Sequence, residues 1–162
     1  MEVVDERVMY TLEEMETWNE PRPCSQVVPV LHARLVLRED ELQSRREFAT
    51  MDDLCRLHWI VLRKKIFNTL EIGSGYSTVF IADACNILSS FFKDVKNIRV
   101  EKKFHIYSLE ESKNFMKITK KRIPKHLKKH VTLINSKNKL IEYKGKYATK
   151  CINIPNISPD LI

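Results

Sequence analysis

No apolar stretch in this 162-residue chain approaches the roughly 18–20 residues that a bilayer-crossing helix needs. The amino terminus is no substitute, because MEVVDERVMY carries three acids by its sixth residue with no apolar run behind them, so a secretory leader is not expected either. Both absences point to a cytoplasmic protein without a membrane partner. Cysteine is sparse and unpaired in sequence: Cys24, Cys55, Cys85 and Cys151 include no C-x-x-C, which excludes a zinc ribbon spacing and a dense disulfide framework. Four reduced thiols are expected, most of them structural, with Cys85 a core residue because no base is placed beside it. Glycine is scarcest of all, at three residues. Its placement is therefore informative, since Gly73 and Gly75 stand two apart.

Positive charge is unevenly spread within the net +7. Residues 71–162 hold 18 bases against 8 acids, and 16 of those bases are lysine. Lysine does not make the bidentate contacts through which arginine reads phosphates and bases, and little aromatic residue is interleaved with it in segments such as KITKKRIPKHLKKH. The preferred reading is a solvated face, with nucleic acid an unlikely partner. His126 and His130 would share the face of an α-helix continuing past Pro124, but no third ligand stands nearby, so surface histidines are expected rather than a metal site. His58 is expected at the boundary of its helix, within possible reach of the glycine pair.

A short helix over residues 5–20, ended by Pro21 and Pro23, and the ambiguous segment behind it make residues 1–48 an N-terminal accessory segment. Its Trp18 and Tyr10, with Trp59, are candidate packing or lid aromatics. Residues 49–162 read as the main domain. Thr50 with Asp52 and Asp53 opens an amphipathic helix carrying Leu54, Leu57, His58, Val61 and Leu62. There follow a strand in IFNTLEI, a glycine turn, an apolar helix, a strand in FHIYSLEES, a helix stopped by Pro124, and a strand in HVTLINS. Alternating strands and helices imply an α/β fold with a parallel, right-handed sheet and flanking helices. PNISPDLI reads as the opening of a fourth strand, so the sheet is expected to be incomplete at the C-terminus, either as part of a longer enzyme or completed by a partner chain, with a homodimer one option.

The chemistry-bearing candidates are Glu71-Ile-Gly73-Ser74-Gly75-Tyr76-Ser77 at the first strand tip and Glu110 at the second. Ligands of such sheets sit beyond the carboxyl ends of the strands, glycine admits close approach, and an acid ending the neighbouring strand can accept ribose hydroxyls. A dinucleotide fingerprint would need glycine at position 78, which is threonine, and a phosphate-gripping nucleotidase loop would need G-K-[ST]. At these residues the chain resembles the class I S-adenosylmethionine-dependent methyltransferases, in particular the bacterial proteins with an LEIGSG-S-T first motif and unassigned substrates. It departs from that pattern in carrying Ser77 where a third glycine is common and in a longer spacing to Glu110.

The resemblance implies a Rossmann-like fold and methyl transfer from S-adenosylmethionine to an unidentified acceptor. It places Glu71, Gly73, Ser74, Gly75 and Tyr76 at the methionine end, Glu110 at the ribose, Leu109 or Glu111 near the adenine, and Asn135 or Ser136 at the adenine rim. No catalytic base and no metal ligand is named by it. The alternatives are a non-catalytic nucleotide- or S-adenosylmethionine-binding module that needs further strands or a partner, and a nicotinamide-dependent oxidoreductase.

Overall fold

A computed structural model describes residues 51–93 and 102–162. The expected N-terminal accessory segment over residues 1–48, with Cys24, Tyr10 and Trp18, and the expected helix cap Thr50 of the main domain lie outside the described residues. Helix α1 (Met51–Arg63) opens on Asp52 and Asp53 and buries Leu54, Cys55, His58, Val61 and Leu62. These positions recur at three- and four-residue spacing, and the acids lie at the positive end of the helix dipole. Strand β1 (Asn68–Ile72) leads through the glycine turn into α2 (Tyr76–Phe91), the most deeply buried helix. Strand β2 (His105–Glu110), helix α3 (Lys113–Arg122), a 3-10 turn (Lys125–His130) and strand β3 (Val131–Asn135) follow. A hairpin, β4 (Asn138–Tyr143) and β5 (Lys146–Cys151), closes the list of elements.

The three main strands form one parallel sheet in the order β1-β2-β3. Thr69 also bridges Leu161 in parallel, on the edge of β1 that β2 does not use. There the Leu70 amide donates to the Leu161 carbonyl at 2.9 Å, and the Asp160 carboxylate accepts from the amides of Phe67 and Asn68. The alternation of side chains across the sheet sorts its two faces. Ile106, Val131 and Leu133 pack with α1 and α2 around Phe80, Leu88 and Phe104. Leu70, Tyr107 and Leu109 point the other way and are covered by Ile134, Cys151 and Ile157.

The α/β class and the parallel sheet agree with expectation, and the hairpin was not foreseen. Among the described residues no helix is long and apolar enough to cross a membrane. Cys55, Cys85 and Cys151 form no disulfide, and burial among core residues pushes the Cys85 thiol up to about 12, which makes it inert packing.

Two histidines, His58 and His130, correct the sequence reading, while His126 lies at the surface as expected. His58 is not a boundary residue: it is buried, and its Nε2 lies 3.0 Å from the carboxylate of Asp83, itself fully buried on α2. This pair pins α1 to α2. His126 and His130 do not share a face, because the segment is a 3-10 turn of three residues per turn, in which residues three apart eclipse. Leu127 and His130 are accordingly both buried while His126 is exposed, and His130 Nδ1 bonds the Phe104 carbonyl at 2.9 Å. His105 is buried too, with Nε2 2.8 Å from the Thr132 hydroxyl.

Two outcomes follow from these burials. Removing either partner of a buried hydrogen bond leaves the other unsatisfied and costs about 1–3 kcal/mol, whereas the second removal costs little more. Chemical denaturation of His58→Ala, Asp83→Ala and the double variant is therefore expected to show a strongly sub-additive cycle. Burial, with Lys102 and His130 nearby, holds His105 down at about 4, and burial lowers His130 as well. Unfolding lets both imidazoles take up protons near their ordinary 6.5, so the stability they contribute is complete above about pH 6.5 and is lost as pH falls towards about 4. The melting temperature of His105→Gln is expected to fall less steeply across that window than that of the parent.

Candidate functional site

The turn between β1 and α2 is shaped by its two glycines in different ways. Gly73 adopts φ +89, a conformation that side-chain-bearing residues rarely take, and its amide donates to the Leu109 carbonyl on β2 at 2.8 Å. Gly75 is extended, at φ −174, and caps α2. Among the described residues, a Cβ at either position would meet nothing within 4 Å, so both open on space that these residues leave free beyond the carboxyl ends of the strands.

Two carboxylates hold this turn from either side. Glu71 accepts from the Ser77 hydroxyl at 2.5 Å and from the Thr78 hydroxyl at 2.6 Å. Thr78 Oγ1 in turn accepts from the Gly75 amide at 3.0 Å, which satisfies one of the donors that a helix start leaves open. Burial pushes the Glu71 carboxyl above the usual carboxylate range, the hydroxyls of Ser77, Thr78 and Ser108 pull it back, and the charge of Glu110 pushes it up again. Glu110, across the turn, accepts from the Ser74 amide at 2.9 Å and the Ser74 hydroxyl at 3.1 Å with one oxygen, and from the Ser112 amide at 2.8 Å with the other. Of about four lone-pair positions on a carboxylate, three are thereby used.

The remaining expected residues divide. Tyr76 stands at the start of α2 with the Arg122 guanidinium 4.5 Å from its ring centroid. Asn135 lies at the tip of β3, where its side-chain amide donates to the carbonyls of Glu110 and Glu111. Ser136 is buried and turned away: its hydroxyl donates to the Ile152 carbonyl at the root of the hairpin. Leu109 contributes its carbonyl to Gly73, but its side chain is buried in the cluster on the opposite face. Glu111 is exposed and takes both the backbone amide and the side-chain amide of Asn138. Trp59 is half-buried against the main core, as a packing aromatic.

Sequence reasoning missed Thr78, Thr119 and Ser112. Thr78 was weighed only as a missing glycine, although it occupies that position as a fully buried hydrogen-bonded residue. Thr119 reaches the Ser74 hydroxyl from α3 at 3.2 Å, a contact across 45 residues with no sequence signal. Ser112 did carry a signal, as an N-cap before a helix, and its hydroxyl accepts from the Phe115 amide.

Compared with known protein families, with curated proteins and with solved structures, the chain matches none. The site must be read from its own chemistry. That chemistry is a glycine turn with open space above it, a desolvated carboxylate on one flank and a second, partly engaged carboxylate on the other. Among the described residues no group of three or more potential metal ligands is present.

The two glycines are expected to respond differently to the same change. Gly73→Ala forces a side chain into the left-handed region and should cost about 1–2 kcal/mol. Gly75→Ala should cost less than about 1 kcal/mol, since the backbone there suits any residue and only the N-cap preference changes. Urea titration of the two variants measures the contrast.

Proposed function

We propose that this domain binds S-adenosylmethionine over the Gly73–Gly75 turn and transfers its methyl group to an acceptor. The single observation that carries the reading is the placement of Glu71 and Glu110 at the ends of adjacent parallel strands, flanking a glycine turn above which no described residue would meet a Cβ. In a Rossmann-like sheet this is where a nucleoside-bearing ligand lies, and the isolated parallel bridge of Leu161 to Thr69 supports the reading, because a strand on that edge of β1 would set the turn at a reversal of strand order. The fit rests on donor chemistry. Glu71 is a half-buried, partly desolvated carboxylate with hydroxyl donors and no cation beside it among its described contacts, so an ammonium group suits it. Glu110 has one acceptor position open and a second that the Ser74 hydroxyl can surrender, which matches a vicinal diol.

Bound there, the cofactor supplies a methyl group already activated by a sulfonium. The chain's own residues then have positioning work: Glu71 anchors the cationic end, Gly73 and Gly75 admit close approach of the main chain, and Glu110 orients the sugar. The buried Thr78 at the third glycine position of a dinucleotide fingerprint opposes the nicotinamide reading, because its side chain fills the space that such glycines leave for helix against strand.

Calorimetric titration with S-adenosylmethionine, S-adenosylhomocysteine and NAD tests the proposal. Micromolar binding of both sulfur ligands and none of NAD is expected, and Glu71→Gln is expected to lose at least tenfold in affinity while still unfolding cooperatively, since it removes the charge but keeps one of the two acceptor oxygens. Absence of binding to either sulfur ligand by a folded chain would overturn the reading.

A further inference from the structure

The hairpin is the part of the structure that the proposed function leaves unused. It is exposed on both sides along almost its whole length. Its four lysines, Lys139, Lys144, Lys146 and Lys150, face one acid, Glu142, and none of the four makes an ion pair among the described residues. The register is unusual. Lys139 stands directly opposite Lys150, so two like charges share one face of an isolated ribbon, an arrangement that destabilises an antiparallel pair. On the same face Tyr143 stands opposite Lys146. Tyr147, on the other face, is 80% exposed and Tyr143 is 60% exposed.

Lysines along an exposed edge protect a ribbon from pairing with other strands. That role does not call for like charges in direct register, nor for a solvent-facing tyrosine on the same face. The lysine reading of the sequence assumed a helical solvated face with little aromatic interleaving, whereas here Tyr143 shares one face of a ribbon with Lys139, Lys146 and Lys150. Ammonium groups spaced along a strand neutralise a phosphate backbone, and exposed phenol rings offer faces on which unpaired bases stack.

We propose that the β4-β5 hairpin is a binding surface for single-stranded nucleic acid. The charge complementarity is local to the hairpin, and the Lys139–Lys150 repulsion is relieved when a phosphate lies across the pair. The hairpin is rooted at the site's edge: Asn138 is bonded to Glu111, and the Ser136 amide donates to the Glu110 carbonyl at 3.0 Å. A strand held on the ribbon thus starts one residue from the carboxylate that flanks the glycine turn. Binding there does not depend on the cofactor reading and can be measured without any methyl donor.

The test is fluorescence anisotropy of the full chain with labelled oligouridylate and oligothymidylate of about 12 nucleotides, within the range of single-strand site sizes. A blunt duplex, polyglutamate and anionic phosphatidylserine vesicles serve as comparison ligands. Single-strand binding is expected to weaken steeply between about 50 and 200 mM salt. Lys139→Glu is the decisive variant, because it turns a repulsive cross-strand pair into an attractive one. Its melting temperature should rise while its single-strand affinity falls about tenfold. Tyr143→Ala, on the lysine-bearing face, should lower affinity at least fivefold, the loss of one base stack, with polyglutamate binding unchanged. Equal affinity for polyglutamate, for vesicles or for the duplex would overturn the proposal, as would unaltered affinity in both variants. Hairpin-dependent self-association in sedimentation, with no oligonucleotide binding, would assign the surface to a second copy instead and equally overturn it.

Discussion

The architecture around the site depends on one desolvated carboxylate. Glu71 ends β1 on the face that carries α2, and through Ser77 and Thr78 it fastens the first turn of that helix to the strand. Thr78 passes the constraint on to the Gly75 amide, so strand, turn and helix start form one hydrogen-bonded unit. Burial raises the cost of keeping Glu71 charged, and the hydroxyls offset only part of it. A purely structural joint could be made from neutral groups. The retained acid is what turns a strand–helix joint into a candidate binding site.

Glu110 plays the opposite part. It lies on the neighbouring strand, reads across the turn to Ser74, and also receives the amide that begins α3. Movement of Glu110 is thereby coupled to the turn and, through Ser74 and Thr119, to α3. A ligand whose hydroxyls donate to this carboxylate must compete with Ser74, so binding and turn geometry are linked through a small set of named contacts.

Much of this was legible before the structure. Helix α1, β1, α2, β2, α3 and β3 follow from apolar periodicity, proline punctuation and the glycine pair, and the strand–turn–helix join located Glu71 and Glu110 together. Three features were not legible, each for a physical reason. The hairpin is exposed on both sides, so its sequence shows no one-sided alternation. His58 and Asp83 lie 25 residues apart, and their pairing depends on how α1 and α2 pack. The His126 and His130 reading assumed 3.6 residues per turn, where the chain after Pro124 winds at three. Ser136 and Leu109 show the remaining limit: proximity in sequence to a strand tip does not say which face a side chain takes.

The central claim is that Glu71 is held as a receptor for a cation at the glycine turn. Carboxyl-carbon NMR of Glu71, followed through a pH titration with and without S-adenosylmethionine, tests it most directly. The account predicts that Glu71 titrates above the ordinary carboxylate range in the free chain and moves down when the ligand is present, with a concurrent change at Glu110. An unchanged Glu71 titration at saturating ligand, or one already in the ordinary range without it, would contradict the account.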